Sequence, residues 1–362
     1  MLLKGAVTIH EVAAQAGVSI TTVSRVLNNS EYPVRAETRQ RVIAAVESLG
    51  FRPNPLALAL LGKPTRTIAL MIPDMGGSTY SALSRGVEDV ASECGYALIF
   101  CNTDGSIQKI QRYLQVLREK RVDGVVFAYG AIEDPDDPPL MPEVGGKAVV
   151  VGRHPWPFPS IRMDDVQAAC EATTHLIHLG HRHIAMIRGP VHRASAADRL
   201  RGYRRALAQA GIDFDESLLG EGDWSHESGY RAAACLLQMP ERPTALFAPN
   251  DRMAAGAMAA AFDAGLRVPD DVAVVGFDDG PLAQYVRPAI TSVAFPSYEM
   301  GRSAARLLLR LLAGESVEPV TWFSTTLMVR PSSDPTIRCC GNTVRGASSS
   351  PSPWVGSDGL RG

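Results

Sequence analysis

The chain has 362 residues, 46% hydrophobic and 20% charged, enough for two or three globular units with substantial cores. Its net charge is −2, and no apolar run reaches the roughly 18 residues of a membrane span. The opening MLLKGAVTIHE turns polar too soon for a secretion signal. Six cysteines (Cys94, Cys101, Cys170, Cys235, Cys339, Cys340) without framework spacing predict a reduced, cytoplasmic setting. The small net charge hides an asymmetry. Up to Arg66, eight Lys and Arg stand against four Glu, a net +4, which leaves −6 for the remainder. A basic head on an acidic body suits phosphate contact at one end, although a solvated basic surface would look the same.

The first predicted elements are two short helices in VTIHEVAAQAGVSITTVSRVLN. Thr8 and Glu11 form a T-x-x-E capping box, and Ile9, Val12, Ala13 and Ala16 follow at helical spacing. Gly17 closes the helix. Ser19 caps a second helix over 20–28, with Val23, Val26 and Leu27 inward and Ile20, Thr21, Ser24, Arg25 and Asn28 left to face elsewhere. A helix, a Gly-containing turn and a helix with a polar outer face is the helix-turn-helix pattern, whose second helix can enter a DNA major groove. On pattern alone, any small amphipathic helix pair fits as well. A third helix is predicted over 36–49, closed by Val42, Ala45, Val46 and Leu49. Arg35 stands at its cap position, a poor choice that costs about 1 kcal/mol. Pro53-Asn54-Pro55 ends the head. The next residues, 56–61, make barely two turns before Gly62, too short a helix to persist alone in water.

From Thr67 the pattern becomes strands alternating with helices, the signature of parallel α/β layers. TIALMIP, YALIFCN, GVVFAY and KAVVVG read as strands, with helices over 81–93 and 107–120, and IEDPDDPP as a surface loop. Near Ser160 a second run begins. Its helices are predicted over 166–179, 196–210, 228–238 and 252–264, and its strands are HIAMIRG, TALFAPN and VAVVGFDD. After ITSVAFP come an amphipathic helix over 298–312 and one last strand, FSTTLMV. Residues 331–362, rich in Ser, Pro and Gly, are expected to be disordered. The domain scheme is thus a head over 7–52, a hinge over 53–65, a two-lobed α/β body over 66–330 and a tail. Ligands of open parallel sheets bind beyond the strands' carboxyl ends. That rule selects Asp74 and the loop to Tyr80, Asn102, Asp104, Asn250, Asp251, Asp278 and Asp279.

The head's VAAQAGVS, TVSRVLN and RPNPLALALLGK closely resemble the DNA-binding head of the lactose/galactose repressor family. The body's CNTDG, LREKRVDGVV, HLIHLGHRHIAMI, RLRGYRRAL, FAPNDRMAAGAM, VPDDVAVVGFDD and EMGRSAARLLL extend the resemblance to about residue 330. It implies an all-α helix-turn-helix head before a body like the periplasmic sugar-binding proteins, two parallel-sheet lobes with an effector bound between them. It also implies that Ile20, Thr21 and Arg25 meet base edges, Arg25 by bidentate bonding to guanine, unless Arg25 is a phosphate anchor. Thr22, Ser24 and Asn28 are better suited to phosphate contacts, and Thr8, Ser19 and Asn54 complete the expected DNA-binding set. Leu60 becomes a minor-groove wedge on DNA, the alternative being that Leu58, Leu60 and Leu61 pack on the next domain. The family's effector pocket carries over to Tyr80, Arg153, Arg199, Trp224, Asn250, Asp278 and Phe295. Arg199 and Asp278 would grip vicinal hydroxyls of a sugar, and Trp224 or Tyr80 would stack on it; a structural ion pair is the bland reading of the first two. Gly152 and Ala128 depart from relatives with acidic and Asn residues there, and Arg153 is placed to restore polarity.

Rival classes lack their motifs. There is no G-x-G-x-x-G after the first strand, no phosphate-binding G-x-x-x-x-G-K-[ST] and no G-x-S-x-G. His178, His181 and His183 span a helix end and a strand start without a further ligand motif, so no metal and no cofactor is expected. An exported sugar-binding protein would not need a basic head. The expectation is therefore a homodimeric repressor that binds a near-palindromic double-stranded operator and answers to a carbohydrate, with a purine as the alternative effector. No leucine-heptad helix for tetramers follows the body.

Overall fold

The computed structural model describes residues 7–27, 32–51, 64–128 and 147–337. The head is three helices, α1 (Ile9–Ala16), α2 (Ile20–Leu27) and α3 (Ala36–Leu49). Both arms of the predicted capping box form: the Thr8 N–H donates to Glu11 Oε2 at 2.7 Å, and the Glu11 N–H to Thr8 Oγ1 at 3.4 Å. Gly17 ends α1 at φ +63°, a conformation side chains rarely adopt. Ser19 Oγ accepts the Thr22 N–H at 3.2 Å and so starts α2. Arg35 makes no side-chain cap to α3, as its residue type predicts. Val12, Ala13, Ala16, Val23, Val26, Val42 and Ala45 close the core.

The chain beyond the head forms two compact units, 64–161 with 297–321 and 162–296 with 322–337. The first holds β1 (Thr67–Ile72), α4 (Ser78–Glu93), β2 (Ala97–Asn102), α5 (Ile107–Glu119), β3 (Gly124–Phe127), β4 (Ala148–Val151) and β5 (Ser160–Met163). The second continues with α6 (Asp165–His178), β6 (Ile184–Arg188), α7 (Ala194–Gln209), β7 (Leu219–Glu221), α8 (His226–Leu237), β8 (Ala245–Phe247), α9 (Asp251–Asp263), β9 (Ala273–Asp278), α10 (Pro281–Tyr285) and β10 (Thr291–Ala294). Then α11 (Ser297–Leu312) returns to the first lobe, followed by β11 (Val320–Phe323) and β12 (Thr326–Met328).

The sheets run β11-β5-β4-β3-β1-β2 and β12-β10-β9-β8-β6-β7. The pairs from β1 to β5 and from β6 to β10 are parallel; β12 joins β10 antiparallel. Each lobe thus repeats one doubly wound order, second strand, first, third, fourth, fifth. Strand order reverses beside β1 and beside β6, where such sheets open a crevice. The central strands are buried nearly throughout, which is why they read as unbroken apolar runs. The returning α11 lies backbone to backbone on α4. A Cβ on Gly301 would sit 2.1 Å from the Leu83 carbonyl, and one on Gly86 2.1 Å from that of Tyr298.

Three expectations change. Most lobe helices begin one to three residues early; α6, α8 and α9 do so because Asp164, Ser225 and Asn250 cap them by side-chain bonds to the N–H groups of Gln167, Ser228 and Met253, whereas α4 and α7 start without a side-chain cap. FSTTLMV is two strands, one for each sheet. The lobe also runs past residue 330. Ser332 Oγ accepts the Thr291 N–H at 2.8 Å and donates to the Val274 carbonyl at 2.6 Å, and Ser333 Oγ meets Thr291 Oγ1 at 2.6 Å and His175 Nε2 at 2.8 Å. Both serines are buried, so the expected tail does not start at Pro331. Residues 52–63, which take in the expected hinge over 53–65 except its last two residues, and residues 129–146 and 338–362 lie outside the described residues.

Candidate functional site

Two places gather most of the side chains that the sequence singles out. On the head, Thr8, Ser19, Ile20, Thr21 and Arg25 are exposed, and Thr22 and Ser24 half-buried. Ile20, at 39% exposure, is an apolar residue left outside a core that had room for Val23 and Val26. The Arg25 guanidinium lies 4.7 Å from the centre of the Tyr32 ring. That stacking partner stands beyond the end of α2, and no helical period signals it. Stacking fixes the plane of the guanidinium and leaves its N–H edge outward. Asn28, Asn54 and Leu60 lie outside the described residues.

The second place is at the carboxyl ends of β6, β8 and β9 in the second lobe. Arg199, on α7, is 6% exposed. Its Nε donates to Asp165 Oδ1 at 2.9 Å, and its Nη1 donates to the Pro249 carbonyl and lies 3.7 Å from Asp278 Oδ1. Its guanidinium covers the Phe277 ring at 3.6 Å and stands 5.8 Å from the Trp224 ring. Phe295 packs against Phe277 with the ring centres 6.0 Å apart and the rings tilted by 51°. Burial raises the pKa of Asp165, and the Arg199 charge opposes that rise.

The backbone around this arginine is strained. Trp224, Asp278 and Asp279 stand at φ +73°, +105° and +52°. Each such residue costs on the order of 1–3 kcal/mol, and positions like these gather at ligand sites. Asn250 helps hold one of them: its Oδ1 caps α9, and its Nδ2 donates to the Trp224 carbonyl at 3.0 Å. Gly189 clears space for the indole, since a Cβ there would lie 2.6 Å from the Trp224 ring. Arg199, Trp224, Asn250, Asp278 and Phe295 are therefore brought together, with Asn250 spent on holding Trp224 and α9. Sequence reasoning missed Asp165, Phe277 and the Pro249 carbonyl. Asp165 sits beside a helix-capping Asp and carries no other signal.

In the first lobe Tyr80 stands on α4, packed over Gly77, and Arg153 follows β4. Ala128 is buried, and Gly152 stands at φ +115°, which a carboxylate-bearing residue would strain to adopt. Here Asn102 Nδ2 donates to Asp104 Oδ1 at 2.7 Å, and Lys109 pairs with Asp104. Hydrogen bonding from Lys109 lowers the Asp104 pKa. The histidines near β6 take separate partners, His181 Nδ1 with Thr244 Oγ1 at 2.9 Å and His183 Nε2 with the Glu241 carbonyl at 2.8 Å. Among the described residues no helix is long and apolar enough to cross a membrane. An apolar groove of about 580 Å³ along β7 and α8, lined by Leu219, Ala232, Cys235, Leu236 and Met239, shares no lining residue with the Arg199 cluster.

Known proteins match this division. Residues 8–54 match the bacterial regulatory proteins of the lacI family, and residues 173–333 a periplasmic binding protein-like domain. The catabolite control protein A of Priestia megaterium is 38% identical over 317 residues, 86% of this chain and 94% of that protein. A structure of the transcriptional regulator CelR in complex with cellobiose is 36% identical, covering 90% of this chain and 99% of that one with a TM-score of 0.69. A lac repressor dimer bound to operator and an anti-inducer is 29% identical, covering 90% and 99%, with a TM-score of 0.79.

Proposed function

The chain belongs to the lacI family of bacterial regulatory proteins and is a DNA-binding regulator of transcription; we propose that it is a cytoplasmic repressor whose hold on its operator is set by a carbohydrate. The observation that carries the ligand class is the pairing of Arg199 with Asp278 at 3.7 Å, with the Trp224 ring 5.8 Å from the guanidinium. A hydroxyl group both donates and accepts, and vicinal hydroxyls fit a guanidinium beside a carboxylate. An indole takes the apolar face of a sugar ring. Asp165, Asp278 and Asp279 outnumber Arg199 and Arg330 around the site, which disfavours an anionic ligand such as a phosphorylated sugar. Asn250 and Phe295 shape this site, and Tyr80 and Arg153 are its candidates from the first lobe.

On the head, Arg25 reads a guanine, Ile20 meets an apolar base edge, and Thr21 bonds weakly to a base. Thr8, Ser19, Thr22, Ser24, Asn28 and Asn54 contact the sugar-phosphate backbone, and Leu60 is the minor-groove wedge. A homodimer presents two such heads to a near-palindromic operator. The ligand changes DNA affinity only as far as it prefers one arrangement of the protein over another.

A thermal-shift screen of the full-length protein tests the ligand class. Ribose, glucose and cellobiose are compared with hypoxanthine and guanine, and each hit is added to a DNA-binding assay. The carbohydrate reading expects a sugar to raise the melting temperature and change DNA affinity. Shifts from nucleobases alone would replace it with a purine effector.

A further inference from the structure

The turn after β9 holds Asp278 and Asp279 at φ +105° and +52°, and a strained turn persists only where its surroundings over-determine it. Those surroundings converge on Asp251, the first residue of α9 and 3% exposed. Its Oδ2 accepts the Gly280 N–H at 2.9 Å, and its Oδ1 accepts the Ser292 hydroxyl at 2.6 Å. That same Ser292 oxygen accepts the Asp279 N–H at 3.0 Å. Two consecutive N–H groups of the turn are thus tied to one buried carboxyl, one directly and one through a buried serine. The fit is close, since a Cβ on Gly276 would lie 2.6 Å from Asp251 Oδ1.

We propose that Asp251 is the positioning residue of the effector site, the group that holds the turn over residues 278–280 so that the Asp278 carboxylate faces Arg199. This rests on reading that carboxylate as part of the ligand site. Asp251 itself needs no contact with ligand.

The network fits one charge state. The ionised carboxyl accepts both bonds offered to it. Protonating either oxygen puts an O–H where a donor already points, the Ser292 hydroxyl at Oδ1 or the Gly280 N–H at Oδ2, so one bond of the buried network is lost, a costly loss. The charged groups facing Asp251 are Asp278 and Asp279, which face Arg199 and Arg330 in turn. Burial first, and then the nearby Asp278 charge, push the Asp251 pKa well above the ordinary carboxylate value. The turn therefore loosens, and effector binding weakens, as pH falls through that raised value.

The test follows the Asp279 and Gly280 backbone amide resonances of the full-length protein as pH is lowered from about 8 until the fold is lost. Both are expected to titrate together in the wild type and to stay still in Asp251→Asn. Ser292→Ala, which cuts one arm only, should silence the Asp279 amide and leave Gly280 titrating; it also serves if Asp251→Asn does not fold. Static amides in the wild type, or unchanged titration in the variants, overturn the proposal. Calorimetry with ribose, glucose and cellobiose runs in parallel. Asp251→Asn should weaken a sugar that binds by about tenfold and flatten its pH profile; wild-type affinity with a wild-type profile overturns the proposal. If none of the three sugars binds, the carbohydrate reading fails, and the resonances alone decide the role of Asp251.

Discussion

The head and the second lobe solve opposite problems with opposite means. In the head, the side chains assigned to DNA lie on an exposed surface over a core of small Val and Ala residues. The α1 and α2 caps and the Arg25–Tyr32 stack hold part of that surface in place. In the lobe, the assigned groups are buried or half-buried, cross-linked and, at Trp224 and Asp278, strained. A duplex supplies its own rigid pattern of donors and phosphates, so the reader needs only to present the right edge. A small ligand supplies little, so its site must be built in advance, and the surrounding lobe carries the strain.

That contrast predicts where mutations cost stability and where they cost recognition. The largest effect is expected from Arg199→Ala, which leaves Asp165 buried without its cation. A broken buried pair costs about 3–5 kcal/mol, read as a lower denaturant midpoint, with loss of any sugar-induced thermal shift. Arg25→Ala should leave the midpoint unchanged and remove about 1–3 kcal/mol of preference for the cognate base, measured by competition between duplexes across a salt series. A salt slope that changes while preference does not would make Arg25 a phosphate anchor. Asn250→Ala removes a helix cap worth about 1 kcal/mol and releases the Trp224 carbonyl. It should therefore weaken sugar binding more than its stability loss accounts for; equal losses would reduce Asn250 to a cap. The smallest effect concerns acid. Hydrogen bonds from the Thr8 N–H and hydroxyl lower the Glu11 pKa, so the capping box contributes at neutral pH and is lost as pH falls through that lowered value. The Thr8 amide resonance should follow that titration and lose it in Glu11→Gln.

Legibility in the sequence divides along similar lines. The capping box, the Gly17 stop and the apolar runs of β1, β3 and β4 are local signals, and each became the element it predicts. The strand-end rule found Asn250, Asp251 and Asp278 because topology alone puts them at a crevice. What was not legible is what distant segments exchange. Arg199 meets Asp165, Phe277 and Pro249 from three separate elements, and nothing in their spacing says so. Ser332 and Ser333 read as tail composition, yet their hydroxyls satisfy backbone groups of β9 and β10 and a histidine of α6. Polar residues that complete a core look like solvent-exposed ones until the core is present.

The most direct measurement is selection of duplexes from a random pool by the full-length protein, with the selected duplex re-measured in the presence of whichever sugar raises the melting temperature. The expected result is a near-palindromic sequence, bound well above random competitor, whose affinity moves when the sugar is added. A pool that emerges unenriched, or an affinity indifferent to a sugar that demonstrably binds, would contradict the coupling of reader to sensor.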